Sequence, residues 1–243
     1  MPNSKSKLLE LSKKYKFLKK IYFFYNIYIR NFKFLKNGAQ SGEDKYITKL
    51  FNEDFKGKFL DIGCYHPTRH NNTYELYKKG WSGINIDLNP LTIELFNFMR
   101  PKDININIGI SDKDTEKELY FIDELDTQNT IDKNQLEFLK KHHNIKQDQI
   151  IIKKVQTKNL QTILNEYQFY NIDFMNLDIE GHELQVLKTL DFKKINIKYI
   201  CIEMIEHNEE SILNVKNMKD LLKENNFKLI KNFGFNHIYQ KDV

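Results

Sequence analysis

From Lys58 onward, short apolar runs rich in Ile, Phe and Val alternate with helix-length amphipathic segments. This rhythm predicts βαβ units and a mainly parallel sheet. Strands are expected at Lys58 to Ile62, Gly83 to Asp87, Ile104 to Ile110, Ile172 to Asp178 and Tyr199 to Glu203. Two further runs, Phe227 to Lys231 and His237 to Gln240, leave no room for a helix between them and are expected as an antiparallel hairpin. The pattern therefore predicts a Rossmann-like α/β fold with a mainly parallel seven-stranded sheet.

Ahead of the first strand the spacing changes. Leu8, Leu11, Tyr15, Leu18, Tyr22 and Tyr25 recur every three or four residues, which predicts a helical extension with one apolar stripe over residues 1–37. Asn37-Gly38 breaks it, and Ser41-Gly42-Glu43 reads as the approach to a new helix running through Phe51. The main domain is thus expected over 38–243. Within it, the polar passage 111–166 carries strand-like pieces at Glu118 to Ile122 and Ile150 to Gln156, and its stretch Asp126 to Thr130 is rich in turn formers. A passage of that length is either a substrate lid or surface decoration.

Composition narrows the class. A chain of 243 residues with 18 Phe and 13 Tyr buries a full core, and its 9 Gly and 4 Pro argue against a fibrous or disordered chain. The net charge of +5 is concentrated at the start, where Lys5, Lys7, Lys13, Lys14, Lys16, Lys19, Lys20, Arg30, Lys33 and Lys36 face only Glu10. Such an arm suits weak association with an anionic membrane surface or with nucleic acid, or is a solvated helix face. Cys64 and Cys201 sit in or beside apolar runs and read as buried thiols, without disulfide or zinc-ligand spacing. Lys19, Lys20 and Arg30 interrupt the apolar stretch, so a secretory signal and an ordinary membrane span are not expected, and the expected location is cytoplasmic or peripheral at the inner membrane surface. The sequence leaves the oligomeric state open, a homodimer included.

Open α/β sheets bind ligands beyond the carboxyl ends of their strands, where strand order reverses. The first strand ends in Asp61-Ile62-Gly63, a carboxylate followed by a residue that lets backbone turn sharply. The second ends in Asp87, placed to accept hydrogen bonds from both hydroxyls of a ribose. A dinucleotide site would add two more glycines to cradle pyrophosphate, yet Gly63 is followed by Cys64-Tyr65-His66-Pro67. S-adenosylmethionine carries no pyrophosphate, so an adenosylmethionine site is favoured over a dinucleotide site.

The fourth strand ends in Asp178-Ile179-Glu180-Gly181-His182-Glu183. Strand alternation brings Asp178 and Glu180 to one side, and either carboxylate or His182 is a candidate base for an acceptor hydroxyl. The competing use is a hard cation such as Mg²⁺ held by Asp178 with Glu203 or His207. Glu183 is expected to cap or salt-bridge the following helix. His66 reads equally as a substrate-orienting base or a structural loop residue. Trp81 reads as core packing, and Asn72 as a cap of the next helix or a bond across the cofactor loop.

These segments, taken together, resemble the FkbM-type methyltransferases of the class I adenosylmethionine-dependent fold. The resemblance runs from about Gln40 to Tyr239. It is carried by Gln40-Ser41-Gly42-Glu43-Asp44, Asp61 to Pro67, Asn72-Thr73-Tyr74, Gly80-Trp81-Ser82-Gly83, Asp87-Leu88-Asn89-Pro90, Arg100-Pro101 and Asn176 to Glu183. It implies that Asp61 and Gly63, with Cys64 beside them, meet the methionine part of the cofactor. It further implies that Asp87 holds the ribose, that Asn89 adds a polar contact, and that Ile110 and Ser111 border the adenine. His66-Pro67 stands where a second glycine is commoner in that family. The activity implied is O-methylation of a hydroxyl on a sugar, a polysaccharide precursor or a similar polar small molecule, with nucleic acid not expected as a substrate. The alternatives are a non-catalytic adenosyl-ligand-binding protein and a membrane-surface or nucleic-acid-associated protein acting through its basic arm.

Overall fold

A computed structural model describes residues 9, 11, 14–36, 38–123, 129–142 and 145–242. Leu8 of the expected stripe, Asn37 of the expected break and residues 126–128 of the expected turn lie outside them, as do Lys5, Lys7, Glu10 and Lys13 of the basic arm. Ten strands are present among the described residues: β1 Lys58–Ile62, β2 Ser82–Asp87, β3 Ile104–Asn107, β4 Gly109–Ser111, β5 Thr115–Phe121, β6 Ile151–Asn159, β7 Asn171–Leu177, β8 Asn196–Glu203, β9 Phe227–Phe233 and β10 Asn236–Lys241. Seven form one sheet in the order β3-β2-β1-β7-β8-β10-β9. The five from β3 to β8 are parallel. The expected hairpin closes the sheet, with β10 antiparallel to both β8 and β9. The fold is a Rossmann-like α/β type.

Strand order reverses between β1 and β7, which places the switch point of the sheet at Ile62 and Leu177. The central strands are buried on both faces, as the continuous apolar runs require. Leu60, Ile62, Ile84, Ile86, Met175 and Leu177 pack with the crossover helices on one side. Phe59, Phe174, Trp81 and Cys201 fill the other. Toward the carboxyl ends that second face turns polar, because Asn85, Asp61 and Asn176 stand in register across three neighbouring strands. Both cysteines are buried and free, and Trp81 packs edge-on against Phe51 and Phe55 in the core.

Two expectations need correction. The third strand does not run to Ile110: it ends at Asn107, and β4 leaves to pair with β6 in a second sheet of order β4-β6-β5. Gly109 makes that departure possible, since a Cβ there would come within 3.0 Å of the Thr157 side chain. The passage 111–166 therefore holds a small sheet, a helix at Lys133–His142 and a crossover helix at Leu160–Glu166.

The N-terminal segment also differs from its expected stripe. It is an α-helix over Lys16–Phe24, a π-helical turn over Tyr25–Arg30 and a 3₁₀ turn over Phe32–Leu35. Helix Pro90–Met99 meets it at Tyr22, Phe23 and Ile27, so these are the buried positions, while Leu11 and Tyr15 stay exposed. Among the described residues no helix is long and apolar enough to cross a membrane.

Candidate active site

Beyond the carboxyl ends of β1, β2 and β7 lies an open cavity of about 150 Å³. Its wall on the β2 side is Cys64, Tyr65, Asp87, Asn89 and Ile110, and on the β7 side Asn176, Asp178, Glu180, His182 and Glu203. Asp61 and Gly63 lie between them. Gly63 is where the two halves cross. It has φ +76°, and a Cβ on it would stand 1.6 Å from the Asp178 carbonyl oxygen, so only glycine fits. The Gly63 N–H donates to the Ile86 carbonyl (2.9 Å) and the Asp178 N–H to the Ile62 carbonyl (3.0 Å), which ties β2 and β7 to the same turn.

Under the cavity a buried network fixes the loop 64–73. The Asp61 carboxylate accepts hydrogen bonds from Thr73 Oγ1 (2.7 Å), Asn71 Nδ2 (3.1 Å) and Asn176 Nδ2 (3.0 Å). Burial raises its pKa, and Arg100 among its neighbours opposes that rise. The Arg100 guanidinium is itself fully buried and donates to Thr73 Oγ1 (2.9 Å), Asn71 Oδ1 (2.8 Å) and the Pro67 carbonyl. It also lies 4.9 Å from the centre of the Phe96 ring and 5.1 Å from that of Tyr77. A buried cation held by three acceptors specifies the loop's conformation.

On the β2 side, Asp87 accepts from the Tyr65 N–H (2.9 Å) through one oxygen and from the Asn89 N–H (2.7 Å) through the other. Burial raises its pKa to about 6 against these bonds. Each oxygen keeps a second lone pair for a ligand hydroxyl. Asn89 caps helix Pro90–Met99 by accepting from the Leu91 N–H. Ile86, Leu88, Ile108 and Ile110 line an apolar slot beside the carboxylate. A carboxylate with lone pairs open to hydroxyls, beside an apolar slot and without the glycines of a phosphate cradle, is a donor set that fits the adenosine of adenosylmethionine.

On the β7 side, burial raises Asp178 to about 6, with Asp61 adding repulsion, and pushes Glu203 well above the usual carboxylate range. Asp178 and Glu203 are hydrogen-bonded to each other, so Glu203 holds the shared proton and Asp178 accepts it. Glu180 accepts from Gln135 Nε2 (2.9 Å) and joins them in the one group of possible metal ligands among the described residues, its ligand atoms within 4.8 Å of one another. Glu183 turns back to the loop and accepts from the N–H groups of Ile179 (2.9 Å) and Gly181 (3.1 Å). Burial raises it to about 7. Its expected capping role thus takes the form of closing the turn that aims Asp178 and Glu180.

Comparison with known proteins decides between the nucleoside-binding folds that share this geometry. A family model described as the methyltransferase FkbM domain matches residues 61–229. The chain belongs to the FkbM methyltransferase family. Among solved structures it is similar to the methyltransferase FkbM of Methylobacillus flagellatus KT, at 11% identity and a TM-score of 0.44, over 92% of this chain and 54% of that one. The chain therefore spans about half that protein's length. No curated protein matches it.

In this FkbM chain the expected site residues do not all meet. Asp61, Gly63, Cys64, Asp87, Asn89, Ile110, Asp178, Glu180, His182 and Glu203 line the cavity. His66 does not. Its Nδ1 accepts from the N–H groups of Thr68 (3.2 Å) and Arg69 (3.0 Å), and its Nε2 lies 2.8 Å from Asn26 Oδ1. Burial and neighbouring arginines lower its pKa to about 3, so it is a neutral post of the loop with both nitrogens engaged, not a base. Ser111 is buried behind the wall, with Oγ 2.9 Å from Asp112 and 3.4 Å from His182 Nε2. His207 stacks on Phe138 at 3.9 Å and stands outside the acidic group, where Glu180 takes the third position. Asn72 makes the bond across the loop, donating to Asn176 Oδ1 (2.9 Å), in place of a helix cap.

Other functional positions escaped sequence reasoning. Arg100 was visible only as part of a resemblance motif, since nothing local marks an arginine at a helix end as buried. Glu43 and Asp44 are buried carboxylates that fasten Gly38 to Ser41: Asp44 accepts from the Gly38 and Ala39 N–H groups, and Glu43 from Ser41 N–H (2.8 Å) and Asn236 Nδ2 (2.9 Å). That places Gln40 and Asn236 in the cavity wall. Like Arg100, both acids stand in the sequence only as part of a resemblance motif, and their place in the first turn of a helix is the local signal.

Proposed function

We propose that this FkbM methyltransferase uses S-adenosylmethionine to O-methylate a hydroxyl of a sugar, a polysaccharide precursor or a similar polar small molecule. The observation that carries the reading is Asp178: a cavity-lining carboxylate raised to about 6, opposite the Asp87 side of the same crevice. When bound, the cofactor supplies a sulfonium methyl group as electrophile. Asp87 would hold its ribose hydroxyls and the apolar slot its base. Asp178 would accept the proton of the acceptor hydroxyl as the oxygen forms its bond to the methyl carbon and the sulfur keeps the electrons of the broken bond. A base with a pKa of about 6 is ionised at neutral pH yet stays basic enough to assist that transfer. The remaining wall is polar, with Gln40, Asn72, Asn129, Asn176 and Asn236 in it, which supports a polar acceptor.

A second reading concerns metal. Asp178, Glu180 and Glu203 have the chemistry of a hard-cation site, and Mg²⁺ there would displace the shared proton and acidify an acceptor hydroxyl. Both readings are tested by Asp178→Asn in a methyl-transfer screen of nucleotide sugars with and without Mg²⁺. The expected result is a turnover loss of about 10²–10⁴-fold with adenosylhomocysteine affinity unchanged, and a wild-type rate that falls as pH drops through about 6. Full activity of the variant would refute the assignment. Calorimetric Mg²⁺ binding that Glu180→Gln abolishes would favour the metal reading.

A further inference from the structure

The N-terminal segment docks on the domain with one face and leaves the other apolar. Tyr22, Phe23 and Ile27 pack against Leu91 and Leu95, while Asn26 and Asn31 reach His66. Away from that contact lie Phe17, Ile21 and Phe24, at helical intervals of four and three, followed by Tyr28 in the π-helical turn and Phe32 in the 3₁₀ turn. They are 74%, 42%, 53%, 36% and 60% exposed, and Ile29 beside them is 58% exposed. The Phe24 and Tyr28 rings touch along the stripe, 5.0 Å between centres. Single exposed apolar side chains are ordinary on a soluble surface, but a continuous row of large ones marks an interaction site.

The charge around the stripe says what it meets. Lys14, Lys20, Arg30, Lys33 and Lys36 are exposed around it, and no Asp or Glu stands between Glu10 and Glu43. Lys19 pairs with the Glu94 carboxylate at 2.6 Å. We propose that this face docks in the plane of an anionic lipid bilayer, with the aromatic stripe in the boundary between headgroups and acyl chains and the cations on lipid phosphates. Aromatic and aliphatic residues flanked by Lys and Arg on an otherwise short helix are the composition such a surface selects. A second copy of the chain is the poorer occupant, because a two-fold interface through this face would oppose Arg30, Lys33 and Lys36 to the same cations. The proposal is independent of the methyl-transfer reading.

The test is sedimentation of the full chain with vesicles of phosphatidylcholine alone or mixed with phosphatidylglycerol, at low and high salt. The chain is expected to bind the anionic vesicles only and to release with salt. The variant Phe17→Ser/Phe24→Ser/Phe32→Ser, and separately Lys20→Glu/Arg30→Glu/Lys33→Glu, should each weaken partition by about tenfold or more, with unchanged circular dichroism and adenosylhomocysteine affinity. Phe17→Ser alone serves if the triple variant loses helicity. No binding by the wild type overturns the proposal. So does wild-type binding by the stripe variants, which would reduce the segment to a polycation. A wild-type dimer that the stripe variants convert to monomer would assign the face to self-association and equally overturn it.

Discussion

Gly63→Ala isolates the crossing on which the whole site depends. The new Cβ would lie 1.6 Å from the Asp178 carbonyl oxygen, about half the 3.0 Å below which real Cβ contacts are not seen, and the obstacle is backbone. Relief requires β1 and β7 to separate at their carboxyl ends, breaking the bond from Asp178 N–H to the Ile62 carbonyl. A left-handed alanine adds about 1–2 kcal/mol, and a buried backbone pair left unmade adds about 1–3 kcal/mol. With strand displacement the cost should exceed about 4 kcal/mol, a large part of an ordinary domain's stability. Gly234→Ala is the control, since Gly234 has φ +70° with nothing within 4 Å of its Cβ position. It should cost only the left-handed term of about 1–2 kcal/mol. Urea denaturation of both variants, with adenosylhomocysteine calorimetry on whatever Gly63→Ala remains folded, reads the difference. Equal midpoints for the two variants would refute the argument that Gly63 is required by a backbone crossing.

Other outcomes follow from the buried charges. Arg100→Met leaves Asp61, Asn71 and Thr73 without their cation and should cost about 3–5 kcal/mol in urea denaturation; a loss under about 1 kcal/mol would mean the network is not what holds the loop. Asp87→Ala should weaken adenosylhomocysteine binding about 100-fold by calorimetry, and wild-type affinity should fall as pH drops through about 6, where Asp87 takes up a proton. Asp87 and Asp178 titrate near 6 and Glu183 near 7 in the folded chain, above their ordinary values of 3.8 and 4.5. The folded state therefore holds protons that the unfolded chain has released. Stability from these groups is full below about pH 4 and declines as pH rises to about 7, a loss on the order of a few kcal/mol. Melting temperature measured against pH checks the sign, and a rise from about pH 5 to about pH 7.5 would contradict it.

Periodicity explains what could be read without coordinates. Apolar runs of strand length report burial on both faces, so β1, β2, β7 and β8 are legible, and with them the tips that carry Asp61, Asp87 and Asp178, while the closing hairpin is legible from two strand-length runs with no room for a helix between them. Pairing between polar side chains has no period. His66 is satisfied by Asn26 forty positions earlier, and Arg100 by Asn71 and Thr73, so neither role leaves a local mark. The departure of β4 at Gly109 is hidden for a related reason: Ile104 to Ile110 alternates isoleucine with small or polar residues without a break, and only the presence of Thr157 on another strand decides where it divides.

Glycine logic fails in a more informative way around the cavity. Tyr65, His70 and Glu180 all line it, and all have positive φ, at 53°, 47° and 57°, although none is glycine. Left-handed backbone at such residues costs on the order of 1–3 kcal/mol each and persists only when surrounding contacts over-determine it. Those contacts are identifiable here. Tyr65 donates its N–H to Asp87, His70 stacks on Tyr65 and meets Phe34 edge-on, and Glu180 is held by Gln135 and Thr130. A sequence reader searching for turns would put glycine at all three. That the chain places side chains there instead, at a cost, argues that the cavity needs the ring of Tyr65, the imidazole of His70 and the carboxylate of Glu180 more than it needs relaxed loops.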